Sequence, residues 1–137
     1  MHLVCIFPAL PLIGAASLGA EDVGLKLLSA GATPNLLGLF RETALHWASI
    51  IGADRLVAGL IEKGAAVNLK DEKHKATPLG WALHGWGEPP LPGASGRHHE
   101  VVARLVAAGA QVDPAMLTSP KVLADRAMLS ALQIGKS

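Results

Sequence analysis

The chain of 137 residues holds one cysteine, Cys5, no tyrosine, and only 4% aromatic residues. A lone cysteine excludes an internal disulfide and fits a reducing compartment, so a cytoplasmic location is expected. The scarcity of aromatics argues against a sheet. A core of Ala, Leu and Val with many glycines suits closely packed short helices better. The formal net charge is +1, too small for the field that nucleic acid or an anionic membrane would need, and neither is expected as a partner. The one basic cluster, KDEKHK at residues 70–75, is interrupted by acids and reads as a solvated loop. At this length the chain is a single domain, 1–137, able to bury a continuous core.

Charge is also absent from residues 3–20, LVCIFPALPLIGAASLGA. Their length raises the question of a membrane span, and their small-residue end resembles a signal cleavage site, which would make the protein exported. Against both readings, no Lys or Arg precedes the segment, Pro8 and Pro11 interrupt it, and glycines dilute it.

What is present is a repeat. Thr43 and Thr77 lie 34 residues apart, as do Leu45 and Leu79, Trp47 and Trp81, and Ala48 and Ala82. A shift of 33 lays Leu12, Ala15, Gly19, Val23, Leu27 and Leu28 on Leu45, Ala48, Gly52, Leu56, Leu60 and Ile61. Each unit has the pattern of two short helices. Thr77 is a good N-cap and Pro78 sits at the first helical position, where a missing N–H costs nothing. Ala48 and Ala82 are small enough to face inward, and apolar residues at helical spacing mark the second helix of each unit. That helix ends at Gly31, Gly64 or Gly109, where a left-handed residue would close it. No unit can bury its apolar faces alone, so the units must stack.

The residues TALHWASIIGADRLVAGLIEKGAAVN, 43–68, closely resemble the ankyrin repeat. Thr43, Leu45, His46, Ala48, Gly52, Leu60, Gly64, Ala65 and Asn68 match its pattern, with Ala44 in place of the usual Pro. The third unit matches through Thr77, Pro78, Leu79, Ala82, Gly109 and Ala110 but has Gly80 in place of the His. The first keeps the spacing and lacks both Thr and His. The resemblance implies an all-α ankyrin-type helical solenoid of about three repeats, roughly 10–35, 43–68 and 77–113, with a C-terminal helical cap over 114–137. It also implies that His46 is structural, and that the chain binds another protein through a concave face.

The edges carry further expectations. The first unit starts almost at Met1 and has no room for a polar capping helix. Either residues 1–8 form a lid or the chain begins inside a longer array, and an uncapped end favours self-association. In the cap, Leu123, Ala127 and Leu132, with Met128 and Leu129, are expected to cover the third unit, while Lys121, Asp125 and Arg126 face water. The Gly-Ala spacing between the last two units exceeds the Thr spacing by 11 residues, so the third unit carries an insertion at about 86–98. Its prolines and glycines predict an exposed, partly stiff loop over 85–99.

Trp47 and Trp81 occupy the same variable position of adjacent units. In the family that position faces the concave groove, and two indoles there would form a binding strip, extended by Ile50 and His84. The competing reading is that the indoles only pack on each other and on the hairpin stems. Leu39 and Phe40 in the apolar hairpin before the second unit, and Trp86 in the insertion, complete the candidate contacts. His84, His98 and His99, helped by Glu88 or Glu100, are the material for an alternative metal-binding or catalytic reading, though adjacent histidines are poor joint ligands. No metal or other cofactor is expected. No nucleophile–base pattern or phosphate-binding loop appears, and carboxylates such as Asp71 and Glu72 fall at hairpin tips where solvation suffices, so no enzyme is expected.

Overall fold

The structure, a computed structural model, describes residues 9–38, 40–87 and 97–133. Expectations about residues 1–8, including the lid, lie outside these. Among the described residues there is no strand. Nine helices follow one another among the described residues: α1 (Ala9–Ser17), α2 (Glu21–Ser29), α3 (Ala44–Ile51), α4 (Asp54–Glu62), α5 (Pro78–Gly87), α6 (His98–Ala107), α7 (Pro114–Thr118), α8 (Pro120–Leu123) and α9 (Arg126–Leu132). None is long and apolar enough to cross a membrane. The first six form three pairs. The leading helices α1, α3 and α5 pack side by side in one layer, and α2, α4 and α6 pack in a second.

The layers approach closely because small residues face the seam. Ala16, Ala48 and Ala82 are fully buried, as are Leu45, Leu56, Leu60 and Leu79. Large and small side chains interlock between the trailing helices. A Cβ added to Gly24 would fall 2.7 Å from a Leu56 methyl, and one added to Gly59 would fall 2.6 Å from a Leu25 methyl. This explains a departure from the periodic reading. Val23, the register partner of Leu56, is 53% exposed, because that position is covered by the preceding unit and no described residue precedes Val23 in that role. The helix-closing glycines behave as expected, with φ of 100° at Gly31, 92° at Gly64 and 102° at Gly109.

Polar ties repeat with the same period. Asn35 donates to the Gly64 carbonyl and accepts from Ala66 N–H, and Asn68 does the same for Gly109 and Gln111. Each asparagine thus satisfies the open end of the next unit's trailing helix. At the opposite end, Glu21 accepts from the Arg55 and Leu56 amides, and Asp54, 33 residues later, pairs with Arg104 of α6. His46 makes a further tie. Its Nδ1 accepts from Thr43 N–H at 3.0 Å, and its Nε2 lies 2.9 Å from the Leu69 carbonyl and 3.1 Å from that of Ala76. This is the structural role the resemblance implies.

The third unit departs from the others where the insertion enters. Trp86 stands where unit two has the turn glycine Gly52, and α5 runs on to Gly87. Residues 85–87 and 98–99, expected as loop, are therefore helical, while 88–96 lie outside the described residues. Packing overrides the low helix propensity of Gly85: a Cβ there would sit 2.0 Å from the Ile50 carbonyl oxygen. The same oxygen accepts from His98 Nε2 at 2.8 Å, and Arg97 N–H donates to Gly52 O at 3.0 Å. Both ends of the insertion are thus fixed on the second unit. Trp86 is half-buried, with its ring 6.0 Å from that of His99 and with Lys121 Nζ 5.1 Å above it.

The C-terminal helices cover the third unit with Met128, Leu132 and the partly buried Leu129, as expected, but not with Leu123 and Ala127. Val122, Met128, Ala131 and Leu132 are buried, while Leu123 is 56% exposed and Ala127 is also exposed. The chain restarts at Asp125, which caps α9 through Met128 N–H, so one helical register does not extend across the break. Lys121 and Arg126 are exposed as expected, whereas Asp125 is partly buried and bonded to His99 at 2.8 Å.

Two outcomes follow from these contacts. Replacing His46 by Ala leaves the Thr43 amide and the Leu69 carbonyl without their partner, while Ala76 O keeps the Asp71 N–H, and should cost about 2–3 kcal/mol in urea unfolding. Burial holds the His46 pKa below the usual histidine value, against the opposing pull of the Ala76 and Leu69 carbonyls. Its contribution is therefore complete above about pH 6.5 and falls as pH drops from there toward the folded-state pKa. The His46→Ala variant should lose that slope, and an unchanged acid slope would refute the assignment. Gly85→Ala should cost about 2–3 kcal/mol through the clash with Ile50, against a slight gain if this helix were merely exposed.

Candidate functional site

The start of α5 and the hairpin before it build the most distinctive surface of the molecule. Residues 70–75 are not simply a solvated loop. Asp71 is 1% exposed, and its carboxylate accepts from His74 N–H at 2.7 Å, Ala76 N–H at 3.0 Å and the Trp81 indole N–H at 3.0 Å. Burial works against its charge, but the donors from His74, Trp81 and Ala76 outweigh it and hold its pKa below the ordinary aspartate value. The hairpin also places Lys75 at φ 53°, and Arg41, 34 residues earlier, takes φ 60° at the matching place.

Trp81 is consequently held on several sides. Besides its bond to Asp71, its ring meets His46 at 5.1 Å, Trp47 at 5.2 Å and His74 at 6.0 Å, each edge to face. It is 9% exposed and belongs largely to the core. Trp47 is partly exposed, and its Nε1 is buried without an acceptor among the described residues. A groove of about 410 Å³ opens beside the pair. Trp47, Ile50, Trp81 and His84 all line it, so four of the candidate residues come together. His74, Ala76 and Gly80 complete its wall. Gly80 takes the place that His46 holds in the unit before, and its missing side chain leaves the wall low.

The remaining candidates do not join this groove. Phe40 is 47% exposed on the neighbouring hairpin, with Lys73 Nζ 5.2 Å from its ring centroid. Trp86 lies against His99 and Lys121 at the base of the insertion, and Leu39 is outside the described residues. The histidines of the metal reading diverge, His98 toward the Ile50 carbonyl and His99 toward Asp125. Among the described residues no three His, Cys, Asp or Glu side chains group to hold a metal. Sequence reasoning missed Asp71 and His74, whose only signal was a polar run indistinguishable from a solvated tip. It noted Gly80 only for the histidine it lacks.

Comparison with known proteins agrees with this geometry. The family profile described as "Ankyrin repeats (3 copies)" matches residues 12–116, well over half of the chain. The crystal structure of the human ASB11 ankyrin repeat domain superposes with a TM-score of 0.70 at 25% identity, covering 93% of this chain. The chain spans 54% of the length of that structure. In all, 243 chains of solved structures match. No curated protein matches the sequence. Ankyrin repeats serve in general as protein–protein interaction modules on a typically non-enzymatic scaffold. Three repeat registers, stacked helix pairs and a family match over residues 12–116 lead to one conclusion: the chain belongs to the ankyrin-repeat family.

Proposed function

We propose that the protein binds another protein through the groove between α3 and α5, with Trp47 and Ile50 as the principal contacts and Trp81 and His84 beside them. The observation that carries this reading is the groove itself. Two indoles at equivalent positions of adjacent units, set 5.2 Å apart at 81°, wall a depression of about 410 Å³. The lining is mostly apolar and concave, the form in which a few aromatic anchors supply most of an interface's affinity. The Asp71 and His46 contacts fix Trp81 before any partner arrives, so little side-chain freedom is lost on binding. The groove lies on the leading-helix layer, which the family uses as its concave face. A chain with a single cysteine suits a reducing compartment, and the cytoplasm is the setting proposed for this interaction.

The reading separates Trp47, whose edge is open to a partner, from Trp81, which is mostly core. Trp47→Ala and Ile50→Lys should each weaken a captured partner by about 2 kcal/mol, or roughly thirtyfold, while thermal unfolding stays cooperative. Binding measured by titration calorimetry on the folded variants checks this. Equal affinity for wild type and both variants would assign the indoles to packing alone.

A further inference from the structure

The groove does not end at Gly80. Ala76 and Gly80 also border a second depression of about 390 Å³, which continues toward the cap between Lys70 and Lys75 on one side and Asp113 and Met116 on the other. In the second unit the corresponding step is filled by the His46 ring, which reaches across to Leu69 and Ala76. In the third unit Gly80 has no side chain to fill it, and both depressions border Ala76 and Gly80. A Cβ at Gly80 would make only ordinary contact, 3.4 Å from the Ala76 methyl. Packing therefore does not require glycine at this position.

The charges along the second depression are unequal. Lys70 and Lys75 are exposed, and neither has an acidic partner among the described residues. Of the nearby acids, Asp71 is buried beneath three donors, Glu72 is exposed and not part of the lining, and Asp113 lines the depression while capping α7 through the Ala115 amide. Within the lining itself two lysines stand against one exposed carboxylate, Asp113, so an anionic side chain placed beside Lys70 and Lys75 would meet a local excess of positive charge.

Resting on the groove reading above, we propose that the two depressions form one channel for an extended acidic peptide segment of the partner. An apolar side chain sits beside Trp47 and Ile50, the backbone crosses Gly80, and an Asp or Glu within the next few residues pairs with Lys70 and Lys75. Gly80 is the position that sets this specificity, because a larger residue divides the channel.

The test uses the full chain and an array of synthetic ten-residue peptides on a Ser/Gly background. Each carries one central Leu and a single Glu at varied positions, and a matched set carries Lys instead of Glu. The Glu set should bind at least about tenfold more tightly than the Lys set at low salt, with a preferred Glu position to one side of the Leu. Lys70→Glu/Lys75→Glu should reverse the preference, and Gly80→His should remove the positional preference while circular dichroism and the unfolding midpoint show a folded protein. Equal binding of the two sets, or a preference unmoved by the charge reversal, overturns the acidic-segment assignment and leaves the groove reading standing. Failure of every peptide in both sets to bind overturns both. Tighter binding of a single-stranded oligonucleotide than of any acidic peptide overturns the proposal in favour of a general polyanion surface.

Discussion

A buried imidazole ties the second unit to the third, and the candidate site depends on it. The ring of His46 is inaccessible to water and stands between the first turn of its own helix and the carbonyls of Leu69 and Ala76. Those two carbonyls bracket the hairpin that leads into α5, so the hairpin has little freedom to swing. Within it Asp71 gathers His74, Ala76 and Trp81. Trp81 in turn sets the position of Trp47. A histidine at the start of one helix therefore places an indole at the start of the next, through bonds each within hydrogen-bonding distance. The neutral form is the one that fits, because Nδ1 must accept while Nε2 donates.

Stacking and the proposed binding use the same residues for different reasons. The small side chains of the leading helices allow close approach, and close approach brings the two indoles into edge-to-face contact. A single unit would have neither the core nor the groove. This is the physical content of a quasi-one-dimensional fold, in which each interface is made by neighbours and the binding surface is the set of positions the stack leaves outward. The insertion respects that order. Its ends are held to the second unit through Gly85, Arg97 and His98, and its base is joined to the cap through Trp86, Lys121 and the His99–Asp125 pair.

Much of this was legible because the period of 33 to 34 residues repeats the same physical problem. The helix-closing glycines, the inward alanines and the presence of the insertion follow from register alone, and the structural histidine follows from the family resemblance. The convergence of Trp47, Ile50, Trp81 and His84 was legible for the same reason, since equivalent positions of stacked units become neighbours. Features made by one-off contacts were not. Asp71 sits in a run of charges that resembles a solvated tip, and only the folded hairpin shows three donors converging on it. The helicity of residues 85–87 opposes local propensity and depends on the proximity of the Ile50 carbonyl. The buried face of the cap was misassigned at Leu123 and Ala127 because the helix breaks before Asp125, and a periodic face cannot be projected across a break. Val23 fits the pattern but not the burial, since burial there belongs to the neighbour.

The central claim is that the paired indoles of α3 and α5, and not the aromatic residue at the insertion, form the binding surface. Nitrogen-15 spectra resolve the three indole N–H groups and can be assigned by single Trp→Phe changes. Titration with the tightest-binding peptide of the acidic set should move the Trp47 and Trp81 indole signals and leave that of Trp86 in place. Movement of the Trp86 signal with the other two unchanged would contradict the account and transfer the site to the base of the insertion.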